Sequence, residues 1–111
     1  MERNNQTIRN MEEFDRIAQE EYGLTLLSSC LELDRGYVDL FSVTPQQESL
    51  LNSYQNYQWE SINQRAKMAL TSVFNLPVAF IKGSCNYSNG ILTLTGGPEY
   101  MLLILQQIFP R

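Results

Sequence analysis

No proline or glycine occurs between residues 46 and 74, and strong punctuation brackets that unbroken stretch on both sides. Ahead of it, Thr44 supplies a capping hydroxyl, Pro45 suits the first helical position, and Gln47 stands three residues after the cap, where a capping box needs it. Behind it, Asn75 and Pro77 end the pattern. The spacing therefore predicts one continuous helix of about 45 Å at 1.5 Å per residue. A compact chain of this length has a radius of gyration of about 13 Å, so part of such a helix is expected to project or to pack on another subunit.

At 100° per residue the helix carries a principal apolar stripe of Leu51, Trp59, Ile62, Ala66, Ala69, Leu70 and Val73, interrupted by Gln55. About 130° away lies a second strip, Leu50, Tyr54, Tyr57 and Met68, with Ser61 and Ser72 between them. The first stripe reads as core. The second is covered either by another element of the same chain or by a partner. Aromatic residues and methionine are favoured interface anchors, which makes Leu50, Tyr54, Tyr57 and Met68 the candidate protein-interface residues.

The flanking segments read more locally. Residues 1–6 are polar and expected to be disordered, after which Thr7 can cap a helix whose apolar positions Ile8, Met11, Phe14, Ile17, Ala18 and Tyr22 recur at helical spacing; Gly23 ends it. From Leu24 to Leu33 a strand places Leu24, Leu26 and Cys30 on one face and Leu27, Leu31 and Leu33 on the other, so both faces call for burial. Asp34, Arg35 and Gly36 form a turn, and Tyr37 to Val43 returns as the partner strand. After the long helix, Val78 to Asn86 reads as a strand, Tyr87 to Gly90 as a turn and Ile91 to Thr95 as another strand. Gly96, Gly97 and Pro98 then lead into Tyr100 to Phe109, which is apolar on every side, and periodicity alone does not separate a buried helix from a central strand there.

Two architectures follow, both within one α+β domain spanning residues 1–111. With a helical tail, the chain is a tandem repeat of helix and hairpin closed by a C-terminal helix, at an internal offset drifting between about 52 and 54 residues. With an extended tail it becomes helix, two strands, long helix and three strands, an antiparallel five-stranded sheet. The two stretches that are apolar on both faces would then lie together at the sheet centre. This second order accounts for more of the pattern and is the one expected.

The same order resembles the Roadblock domain family of dynein light-chain and small-GTPase scaffold proteins over nearly the whole chain. The resemblance is carried by the turn Asp34 to Gly36, the long central helix, the Asn89–Gly90 turn and the lead from Gly96 to Tyr100 into the final apolar segment. The path from Gly23 to Gly36 is about one residue longer than is typical, and the terminal helix of many members is missing. The resemblance implies a homodimer, or a heterodimer with a related subunit, joined through the long helix and an edge strand. It also implies a non-catalytic scaffold for a small Ras-like GTPase or a motor or signalling complex.

The residue inventory agrees with a non-enzyme. The chain has no histidine, which removes the commonest general base and metal ligand. Glu12, Glu13, Asp15, Glu20 and Glu21 crowd one helix and read as a solvated face, and no second set of carboxylates completes a cleft or metal cage. Cys30 and Cys85 lack metal or redox spacing and read as buried strand thiols; with no apolar leader in the first residues they suggest a reducing, cytoplasmic setting. Lys82 reads as an edge-strand charge that discourages stray pairing. No catalytic, cofactor or metal site is expected. A net charge of −4 disfavours nucleic acid, and no apolar run is long enough to insert in a membrane. Two rivals stand beside the scaffold: an acidic chaperone or inhibitor that binds a protein client, and a small-ligand sensor.

Overall fold

The computed structural model describes residues 10–110. Helix α1 (Met11–Glu20) leads into an antiparallel hairpin of β1 (Thr25–Glu32) and β2 (Gly36–Ser42). Helices α2 (Pro45–Ser53) and α3 (Asn56–Phe74) follow, then a 3-10 turn at Val78–Phe80, a second hairpin of β3 (Gly83–Ser88) and β4 (Ile91–Gly96), and helix α4 (Pro98–Ile108). The four strands form one antiparallel sheet in the order β1-β2-β4-β3.

The fold is α+β as expected, but it has four strands where five were expected, because residues 98–108 are a helix. Among the two orders open to the sequence, the helix–hairpin repeat closed by a helix is therefore the one seen. An all-round apolar segment has no preferred period, so its surroundings decide. Pro98 opens the first turn of α4, and the helix lies over the sheet between α1 and α3, burying Tyr100, Met101, Leu102, Ile104, Leu105 and Ile108. The closing strand on which the Roadblock resemblance rested is absent, and the GTPase partner implied by it gains no structural footing.

The single 46–74 helix is likewise two helices. Tyr54 and Gln55 both leave the helical conformation, with ψ of 131° and 169°. Tyr54 instead donates from its hydroxyl to the Ile108 carbonyl at 3.0 Å and sets its ring edge-on to Trp59 at 5.5 Å. The Gln55 amide donates to Gln58 Oε1 at 2.9 Å and so starts α3 afresh. These contacts with the tail fold the chain back on itself, and the radius of gyration is 13.3 Å with no projecting rod. The predicted strand from Val78 is shortened in the same way: Val78–Phe80 form the 3-10 turn and pairing begins at Gly83.

Other local signals act as their chemistry dictates. Thr44 and Gln47 exchange the reciprocal capping-box bonds at the start of α2. Asn75 closes α3 in the left-handed region, and Asn89–Gly90 adopt positive φ at both central positions of the β3–β4 turn. At the start of α1, Asn10 caps through its Oδ1, which accepts the Glu13 amide at 2.9 Å. The expected Thr7 cap, and residues 1–6, lie outside the described residues.

The core lies between one face of the sheet and the helices. Alternation places Phe41, Leu92 and Leu94 on the covered face, where they meet Phe14, Ile17 and Ala18 of α1 and the buried side of α4. Gly83 and Gly96 admit the Tyr100 ring so closely that a Cβ on Gly83 would stand 2.7 Å from it. On α3 the buried residues are Ile62, Ala66 and Leu70, while Val73, assigned to the same stripe, is exposed beyond the end of the core. Among the described residues no helix lies over the opposite sheet face: Ser84, Asn86 and Ser88 are exposed there, with Val38, Leu40, Ile91 and Thr93 half-buried.

Candidate protein-binding surface

Strand β1 occupies a place its composition does not suit. Leucines on both faces predicted a central strand, yet among the described residues β1 is the outer strand of the sheet, paired with β2 alone. Thr25 and every residue from Leu27 to Leu31 are exposed, and Cys30, expected to be a buried thiol, is exposed with them. The pairing is regular from Ser28 to Glu32 and irregular between Leu26 and Ser28, where one extra residue enters β1. Residues opposite one another on an antiparallel ladder share a face. Cys30, opposite Val38, therefore lies on the open face, and Leu31, opposite Tyr37, on the helix-bearing face but beyond the helices.

A second exposed apolar run starts where α3 leaves the core. Val73, Phe74, Leu76, Val78 and Phe80 keep between 42% and 68% of their surface in the open. Asn75, in the left-handed region, closes α3 and Pro77 leads into the 3-10 turn, while the burial of Ile62, Ala66 and Leu70 does not extend to Val73 and Phe74. Phe80 then faces Leu31, Leu33 and Tyr37 across a groove of about 420 Å³, floored by Gly96, Gly97 and Pro98. Arg35 and Lys82 stand at its rim; Arg35 is engaged with Glu32 at 2.5 Å and Lys82 reaches the Asp34 carbonyl at 3.4 Å. Lys82, read from sequence as an edge-strand charge, stands one residue before β3 and reaches toward the β1–β2 turn.

The four interface residues chosen from sequence are not brought together as one strip. Leu50 lies on α2 beside Tyr22 and Phe109, Tyr54 is half-buried at the α2–α3 corner, and Tyr57 and Met68 remain on the exposed side of α3. Tyr54 and Tyr57 share a shallow depression of about 210 Å³ with Ile62 and Arg65. Sequence reasoning missed Leu31 and Leu33 as surface residues because it assigned their strand to the sheet centre, and it missed Phe80 because it placed that residue in a strand where the chain forms a 3-10 turn.

The cysteines and helix carboxylates singled out from sequence lie apart from this groove. Burial pushes the Cys85 thiol up to about 11, which keeps it protonated and unreactive. Asp15, read as part of a solvated acidic face, instead turns one oxygen inward toward Asp39 on β2. Asp39 is fully buried, and its Oδ1 accepts the Ser29 hydroxyl at 2.6 Å. Among the described residues no group of three or more Cys, Asp or Glu could hold a metal ion, and no helix is long and apolar enough to cross a membrane. Comparison with family models, curated proteins and solved structures finds no match to this chain.

Proposed function

We propose that this protein is a non-catalytic scaffold or regulatory subunit that acts by binding another protein. The observation that carries the reading is the exposed apolar run Val73 to Phe80, continued across the groove by Leu31 and Leu33. Scattered apolar residues are ordinary on a protein surface, but a contiguous group of large ones, rimmed by charge, marks a surface that another macromolecule covers. The Lys82 ammonium at the rim suits a partner segment that places an acidic residue beside apolar ones. A scaffold and an acidic chaperone both answer to this description, and partner identity separates them: a folded regulatory protein supports the first, an unfolded client segment the second.

The test is quantitative co-purification from the native cell, using wild type and the double variant Phe74→Asp/Phe80→Asp. Both substitutions fall on exposed positions, so thermal unfolding is expected to be nearly unchanged. A partner enriched by the wild type and reduced more than about tenfold by the variant supports the reading. A partner retained equally by both proteins overturns the assigned surface. A metabolite-library thermal-shift screen addresses the small-ligand alternative, for which a hit would raise the melting temperature in proportion to ligand occupancy.

A further inference from the structure

We propose that β1 is a self-association edge, and that two copies of this chain join β1 to β1 antiparallel about a two-fold axis at Cys30, making one eight-stranded sheet. This edge borders the groove of the proposed partner surface at Leu31, which belongs to both, but it stands on different observations: the pairing and the composition of β1.

The two edges of the sheet are built differently. The β3 edge is a six-residue strand, GSCNYS, preceded by Lys82, with polar Ser84, Asn86 and Ser88 on its open face and α3 packed along its other side. Short length, a flanking lysine and helical cover are the usual means of blunting an edge. Among the described residues the β1 edge has neither the lysine nor the helical cover over its regular part: Ser28 to Glu32 pair with β2 without interruption and offer a straight row of outward amides and carbonyls. Its side chains are those of an interior strand, and an interior position is what a second copy provides.

Charge selects the occupant. The chain carries a net charge of −4, so its copies repel except where a neutral surface lets them meet. From Thr25 to Leu31 there is no charged residue, and Glu32 is already paired with Arg35. An axis at Cys30 sets Ser29 opposite Leu31 of the second copy and Ser28 opposite its Glu32, preserving which residues share a face. The two Glu32 carboxylates then lie about 14 Å apart along the strands, at opposite ends of the pairing. Leu31 meets its own counterpart diagonally on the helix-bearing side, within reach of a long side chain. The bulge before Ser28 bends β1 away, which limits the pairing to this segment.

The geometry brings the two Cys30 residues face to face, and Cys30 is exposed whereas Cys85 is mostly covered by protein. Mild oxidation of the native protein with copper–phenanthroline is therefore expected to give a disulfide-linked dimer that Cys30→Ser abolishes and Cys85→Ser leaves intact. Light scattering should give twice the chain mass for wild type and Cys30→Ser. Leu31→Lys should give a single chain mass with an unchanged circular dichroism spectrum. If Leu31→Lys fails to fold, hydrogen exchange on the wild type decides, since the outward amides of Ser28 to Glu32 should gain protection as protein concentration rises. A wild type that stays monomeric at the highest concentration reached overturns the proposal. So does a dimer that forms no Cys30 cross-link, or an edge protected only when a different protein is added.

Discussion

Asp15 of α1 and Asp39 of β2 meet across the helix–sheet interface, and each keeps one buried carboxyl oxygen without a hydrogen-bond partner. A single proton held by Asp15 resolves both, since the carboxyl can donate to Asp39 while Asp39 accepts Ser29 on its other oxygen. Burial, and then the neighbouring Asp39, push Asp15 from 3.8 up to about 8. The contact ties the first helix to the second strand with a bond that exists only while the proton stays.

The sign of the pH dependence follows. Between pH 4 and 8 the unfolded chain has released the Asp15 proton and the folded chain retains it, so stability is highest at the acidic end and falls as pH rises through about 8. With no histidine in the chain, no other side chain of ordinary pKa titrates in the middle of this window. Melting temperature should decline from pH 5 to about 8 and level off above it. Asp15→Asn, which keeps a donor toward Asp39 without a titratable proton, should flatten that decline; a variant that retains the full slope would exclude Asp15 as its source.

Gly83→Ala should destabilise the protein by about 1–3 kcal/mol, because the added methyl meets the buried Tyr100 ring at 2.7 Å and the tightly packed core must shift to admit it. Urea denaturation should show a lower midpoint with an unchanged slope. Gly97→Ala, where a Cβ meets nothing within 4 Å, is the control and should cost far less.

The two tyrosines at the α2–α3 corner should behave differently despite standing three residues apart. Tyr54→Phe removes the hydroxyl that holds the Ile108 carbonyl and should cost about 1 kcal/mol. Tyr57→Phe, on a residue 67% exposed, should change stability by less than about 0.5 kcal/mol. Equal losses in denaturant titrations would mean that Tyr54 does not anchor the tail to the corner.

Thiol labelling should also split. At neutral pH a maleimide should modify Cys30 in the native protein and leave Cys85 untouched, since burial holds the latter's thiol protonated at about 11. Mass spectrometry should count one label per chain when folded and two after unfolding. Native labelling of Cys85 would contradict its place under α3 and α4.

What the sequence determined by itself was whatever a few neighbouring residues decide. The cap at Thr44, the positive φ of Gly36, the Asn89–Gly90 turn, the stop at Asn75 and the pairing of each hairpin were legible because their causes lie within about four residues. Helix α1 and its buried face were legible for the same reason, through spacing alone. The tertiary structure decided the rest. An all-round apolar tail has no period to read, and only its burial between α1, α3 and the sheet made it α4. Nothing local marks Tyr54 as a corner; its bond to a carbonyl 54 residues away does. The leucines of β1 announced a strand needing cover on both faces, but a chain cannot state from composition whether that cover comes from itself. Here the sheet ends at β1, and the candidate surface exists because apolar residues written for an interior were left at an edge.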